Sequence, residues 1–190
     1  MLPFTRQVAP PTALPLTLAE AEAHCRLGPD EDSEYLTSLI RAVAALFERE
    51  SKQALMATDY VSVFSGWSGT LTNLKTPIVA DSLRINYTTA GFPDAALPVE
   101  LYALSSLRPD ALYLLGTMPA LLSGFPEAVR VKYRAGYETA DQVPPEIKQW
   151  LKLVLLHYYE NRQPSLLGLT MQEVPMSAKY IMDLIREPTL

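Results

Sequence analysis

Two histidines and one cysteine occur among 190 residues, so each side chain able to serve as base, nucleophile or metal ligand can be weighed singly. His24 and Cys25 are adjacent, and neighbours on a helix point about 100° apart, which keeps imidazole and thiol from facing one reacting centre. His157 falls inside an apolar helical run. With Glu160 it could supply the polar groups of a small-molecule pocket, but with no partners at metal-ligand spacing it reads as a hydrogen-bonded structural histidine. Asp30-Glu31-Asp32 could attract a cation, yet acidic residues opening a helix are explained by the helix dipole alone. None of the patterns GxxxxGK[ST], GxGxxG, HExxH, GxSxG or CxxC is present. No catalytic, cofactor-binding or metal-binding residues are expected, and the chain reads as a non-enzyme.

Arg130, Lys132 and Arg134 form a basic row along one strand face, which Arg84 extends. Such a row could face nucleic acid, or it could be a solvated face or a subunit contact; four charges without interleaved aromatics favour the second reading. The formal charge of −5, from 16 basic and 21 acidic residues, also argues against a protein that grips nucleic acid through its surface. The lone Cys25 excludes an internal disulfide, so the fold does not depend on an oxidising compartment. The longest apolar run, Leu151 to Tyr159, is about half of the roughly 20 residues that cross a bilayer, and no signal-peptide pattern precedes it. A soluble protein without a membrane partner is expected.

The length suits one domain with a substantial core. Residues 1–16, with Pro3, Pro10, Pro11 and Pro15, read as an extended arm with few internal hydrogen bonds, of a kind that lies on a neighbour. Residues 17–57 form a helical part. Thr17 and Glu20 make a capping box for a short helix that Gly28-Pro29 closes, and a second helix from Asp30–Asp32 to about Gln53 carries Leu36, Leu39, Ile40, Val43, Leu46 and Phe47 at helical spacing. Period two then takes over in a β region, residues 58–137: Val61 and Val63 against Ser62 and Phe64, Leu83, Ile85 and Tyr87 against Ser82, Arg84 and Asn86, and Val129, Val131 and Tyr133 against the basic row. Turns are expected at Ser65-Gly66, Ala90 to Asp94 and Arg108 to Asp110, with further strands at Val99 to Leu104 and Ala111 to Leu115.

The third part, residues 143–190, is helical. Pro144-Pro145-Glu146 suit a helix entry, and Ile147, Trp150, Leu151, Val154, Leu155 and Tyr158 give a stripe that Leu153 and Leu156 widen, so this helix is expected to be buried on more than one side. A loop over Asn161 to Pro175 precedes a last helix with Tyr180, Ile181, Leu184 and Ile185 on one side and Lys179, Asp183 and Arg186 on the other. The whole reads as α+β: a small helical bundle with an inserted antiparallel β region.

Taken in order, Pro15 to Ala21, Asp30-Glu31-Asp32 with Tyr35-Leu36, Tyr133-Arg134-Ala135-Gly136-Tyr137, Val143 to Gln149 and Leu156 to Arg162 resemble the head–tail connector, or head-completion adaptor, proteins of tailed bacteriophages that carry a β insertion, and the related adaptors of gene transfer agents. The resemblance runs from about residue 8 to 185, with Tyr133, Gly136, Tyr137, Pro144, Pro145, Trp150, Leu155 and Tyr158 at its centre; residues 66–80 and 105–128 follow no matching pattern. It implies a virion protein at the head–tail interface, assembled in the bacterial cytoplasm. The implied form is a ring of identical subunits, twelvefold in such families, docked under a portal protein and meeting a tail stopper or terminator. DNA would pass through without sequence-specific binding. It further implies a portal contact through the C-terminal segment, which maps onto Tyr180, Ile181, Leu184, Ile185 and Arg186. A tail terminator or stopper ring protein is the neighbouring alternative, and a small ligand-binding or enzymatic domain the remote one.

Overall fold

The computed structural model describes residues 4–161 and 175–186; the loop expected over 161–175 lies outside them except at its two ends, as does the tail 187–190. The fold is α+β, and the chain forms two compact units, one of residues 1–11 and 57–136 and the other of residues 12–56 and 137–190.

The first unit is built on a five-stranded antiparallel sheet in the order β1-β2-β8-β4-β5, with β1 at Phe4–Gln7, β2 at Thr58–Phe64, β4 at Arg84–Thr89, β5 at Phe92–Ala96 and β8 at Val129–Ala135. A three-stranded sheet, β3-β7-β6, comprises β3 at Thr70–Leu71, β6 at Tyr102–Leu104 and β7 at Leu112–Leu114. Central β8 buries Val129, Val131, Tyr133 and Ala135, as alternation predicts. The turn expected at Ala90 to Asp94 shortens to Ala90-Gly91, with Gly91 at φ +90° where a side chain would be strained, and Phe92 already opens β5. The first half of the strand expected at Val99 to Leu104 is a 3₁₀ turn, Val99–Leu101.

Two expectations change here. Part of the proline-rich arm is a strand: Phe4–Gln7 pair antiparallel with Val63–Tyr60. Four residues without an alternating pattern carry no strand signal, and only the waiting edge of β2 makes them one. The inward face of β2 is also reversed, since Tyr60 and Ser62 are buried while Val61 and Val63 lie on the opposite face. Ser62 can be buried because its hydroxyl bonds those of Thr5, at 2.7 Å, and Tyr133, at 3.1 Å, so no polar group is stranded.

The second unit is a four-helix bundle: α1 Leu18–Cys25, α2 Ser33–Ser51, α3 Pro145–Glu160 and α4 Met176–Ile185. Both members of the Thr17/Glu20 capping box are made. Arg26, not Gly28, adopts the left-handed conformation that ends α1, at φ 57°. Pro144 is the N-cap of α3 and Pro145 its first residue, where a missing N–H costs nothing. One apolar cluster joins Leu36, Ile40, Val43 and Phe47 of α2 to Ile147, Trp150, Leu151, Val154 and Leu155 of α3 and to Ala178 and Met182 of α4. Leu153 packs at its margin.

Candidate functional site

Of the residues that could carry chemistry, His24 and Cys25 lie on α1 and His157 and Glu160 on α3. His24 on α1 is half-buried, and burial, reinforced by the charge of Lys152, pushes its imidazole below the ordinary range despite a hydrogen bond with the Lys152 backbone. Its Nε2 has no hydrogen-bond partner among the described residues. Cys25 packs at the margin of the core. The ring of His157 stands edge-on to Tyr158, with centroids 5.6 Å apart, and its carbonyl caps the helix end by accepting from the Asn161 N–H at 3.2 Å. Glu160 is exposed in the last turn of α3. Among the described residues no three His, Cys, Asp or Glu side chains are grouped to hold a metal ion, and no helix is long and apolar enough to cross a membrane.

The acidic run is held by hydrogen bonds. Glu31 Oε2 accepts from the Gly28 N–H and Glu22 Oε1 from the Asp30 N–H, both at 2.9 Å. Asp32 is the N-cap of α2 without a side-chain capping bond, its carboxylate instead accepting from the Tyr159 hydroxyl at 2.8 Å. That contact, with the tilted Tyr35–Tyr159 ring pair at 6.0 Å, revises the α3 stripe at its end: Tyr159 turns toward α2, and Tyr158, expected in the buried stripe, is exposed.

Among the described residues Glu20 is the most strongly perturbed carboxylate. Partial burial alone would raise its pKa. The Thr17 N–H, the Lys148 ammonium at 3.0 Å and the Thr17 hydroxyl outweigh burial and bring it from 4.5 down to about 2. Lys152 adds a second cation at 3.6 Å. A depressed carboxylate stabilises the fold fully above the unfolded value and loses that contribution as pH falls through the folded one. Glu20→Gln, which keeps the capping box and removes the charge, should therefore cost about 1 kcal/mol at neutral pH after allowance for partial exposure. In urea titrations the gap to the native chain should close between pH 4.5 and about 2; a gap that does not change with pH would show that the ion pairs are not its source.

The remaining members of the motif sit where structure needs them. The Tyr133 hydroxyl accepts from the Lys75 N–H at 2.8 Å, and its ring stacks on Tyr60 at 5.9 Å. Burial raises its pKa against the pull of those hydrogen bonds. Gly136 is buried at φ +107° and donates to the Pro77 carbonyl at 2.9 Å, a conformation a β-carbon would disfavour. Tyr137 donates its N–H to the Leu55 carbonyl at 2.9 Å. Trp150 and Leu155 are fully buried.

Along the basic row, carboxylates that sequence reasoning passed over are brought alongside by strand register. Asp94 of β5 meets Arg130 at 2.9 Å and Lys132 at 4.0 Å, and Asp59 of β2 meets Arg134 at 3.7 Å. Asp59 lies 75 residues from Arg134 and faces it only because β2 pairs with β8 in that register. Two carboxylates thus stand against the three cations of the row, which keeps a net positive charge.

The C-terminal helix divides the apolar row expected on one side. Ile181 and Ile185 pack toward the core beside buried Ala178 and Met182, whereas Tyr180 and Leu184 are 67% and 69% exposed. Met176, which the sequence reading omitted, is 85% exposed and continues that outer stripe at intervals of four. Arg186 is engaged within the chain, its guanidinium 2.8 Å from the Glu50 carboxylate and donating to the Glu50 carbonyl at 3.1 Å.

No family model and no curated protein matches the chain. Solved structures do. A chain in the neck of an empty gene transfer agent particle, computed with C6 symmetry, is 21% identical with a TM-score of 0.77, covering 98% of this chain and 97% of that one. A chain in the virion of a native gene transfer agent particle is 19% identical with a TM-score of 0.78 (98% and 96%), and one in a native neck computed with C12 symmetry is 20% identical with a TM-score of 0.75 (98% and 97%). From end to end, this chain has the fold of a subunit found in gene transfer agent particles.

Proposed function

We propose that the chain is a structural, non-catalytic component of the neck of a phage-like particle: a head–tail adaptor whose identical copies, twelve in number, form a ring beneath the portal protein and pass the DNA channel on to a tail stopper or terminator. It would act at the head–tail interface of the virion after assembly in the bacterial cytoplasm, with no sequence-specific hold on DNA and no membrane partner. The observation that carries this reading is the agreement in fold over nearly the full length of both chains with particle neck subunits. Two properties support it. A net acidic subunit suits a wall past which a phosphate backbone must move, since many cationic contacts would retain it. The stripe Met176, Tyr180 and Leu184 offers apolar anchors at helical spacing on one exposed face, the form in which a helix docks into a partner's groove; we assign it the portal contact, with Ile181 and Ile185 setting the helix on its own bundle.

Imaging particles that carry a tagged copy tests the reading directly. Twelve copies between portal and tail are expected. A position one layer further toward the tail would make the chain a stopper or terminator, and its absence from the particle would overturn the proposal.

A further inference from the structure

Charge is unevenly divided along this chain. The β unit holds seven basic and six acidic residues, a net +1, while the helical unit holds nine and fifteen, a net −6. Within the β unit the positive charge gathers on one surface. Register places Arg6 of β1 and Arg84 of β4 on the same sheet face as the basic row, so that five cations share it with two carboxylates, Asp59 and Asp94. Arg6, Arg84 and Lys132 are exposed there.

The same face departs from the usual pattern of an antiparallel sheet, in which the solvated side is polar. At its β1 edge Phe4 and Val8 are 64% and 56% exposed, and Val61 and Val63 lie beside them on the same side. Exposed apolar side chains, an aromatic one among them, bordered by arginines have the composition of a protein-binding surface.

We infer that this face receives a second copy of the chain, and in particular the acidic corner between that copy's α1 and α2. The corner has the complementary chemistry: Asp30, Glu31 and Glu34 are exposed, and Glu31 is held in place by its bond to the Gly28 N–H. Exposed Tyr35 beside it gives a flat aromatic surface on which a guanidinium can stack. A basic sheet on one copy and an acidic corner on the next make a heterologous contact, the kind that closes into a ring. The proposal deepens the ring reading above and rests on it for closure, not for the pairing itself.

Charge reversal in pairs tests it, with self-association followed by sedimentation at rising protein concentration. The native chain should associate weakly, and its Kd should rise at least about tenfold between 0.1 and 1 M salt, as the screening length falls from about 10 to 3 Å. Arg84→Glu with Lys132→Glu should abolish association, as should Glu31→Lys with Glu34→Lys, and joining all four reversals in one chain should restore it. The neutral pair Arg84→Gln with Lys132→Gln, gentler on the fold, should weaken association in part. Melting temperatures establish that each variant is folded. Association unchanged in a single-face reversal, a folded fourfold variant that stays monomeric, or a native chain monomeric at millimolar concentration would overturn the inference. If reversing the sheet face removed retention of DNA and left self-association untouched, the face would belong to nucleic acid. A chain imaged in the neck whose reversed variants still associate would keep its proposed place and lose only this interface.

Discussion

Trp150→Ala should lower the melting temperature by about 10 °C or more, or leave the chain insoluble. Trp150 is 2% exposed, sits on the helix against which α1, α2 and α4 all pack, and meets Phe47 edge-on with ring centroids 5.4 Å apart. Removing it leaves a cavity at the centre of the bundle, typically about 3–5 kcal/mol, and an aromatic pair of this geometry adds about 0.5–1.5. Because the indole N–H has no partner among the described residues, the loss is one of packing. Leu155→Ala, also fully buried, should cost about 2–5 kcal/mol by the same mechanism. For a chain of this length each kcal/mol moves the midpoint by about 2–4 °C, well within reach of calorimetry. If either variant melted like the native chain while a specific catalytic activity disappeared, the non-enzymatic reading would fail.

What the sequence discloses and what it hides follow from the range of the forces involved. The capping box, the proline entry to α3 and the core positions of α2 and α3 are set by residues within a few positions of one another, and each was legible. So was β8, whose strict alternation reflects a sheet covered on one side. The β1 strand was hidden because its partner lies more than 50 residues away. The inward face of β2 was misjudged because valine outranks serine on any apolar scale. Burial of Ser62 depends on the hydroxyls of Thr5 and Tyr133, which only tertiary structure brings to it. The acidic partners of the basic row were hidden for the same reason. On α4 the apolar residues were visible but not the boundary between the two faces, since Tyr180 and Ile181 are adjacent and the contact with α3 decides which one turns inward.

That boundary determines how a portal contact must be tested. Deleting residues 176–190 would strip Ala178 and Met182 from the core and break the ion pair between Arg186 and Glu50, so the truncated chain should lose stability whether or not the helix binds anything. Tyr180→Asp with Leu184→Asp separates the two roles. Both side chains point away from the bundle, and exposed substitutions usually stay within about 0.5 kcal/mol each, so the melting temperature should barely move. If the outer stripe anchors the portal, each truncated anchor removes about 2–4 kcal/mol of binding, and affinity should fall by on the order of a thousandfold or more for the pair. In complementation, heads bearing portals should then accumulate without tails. Met182→Asp gives the contrasting result: a carboxylate forced into the core should unfold the bundle before any question of docking arises. A folded Tyr180→Asp, Leu184→Asp chain that still joins portal-bearing heads at the native rate would move the contact off this helix, leaving α4 as the fourth wall of the bundle.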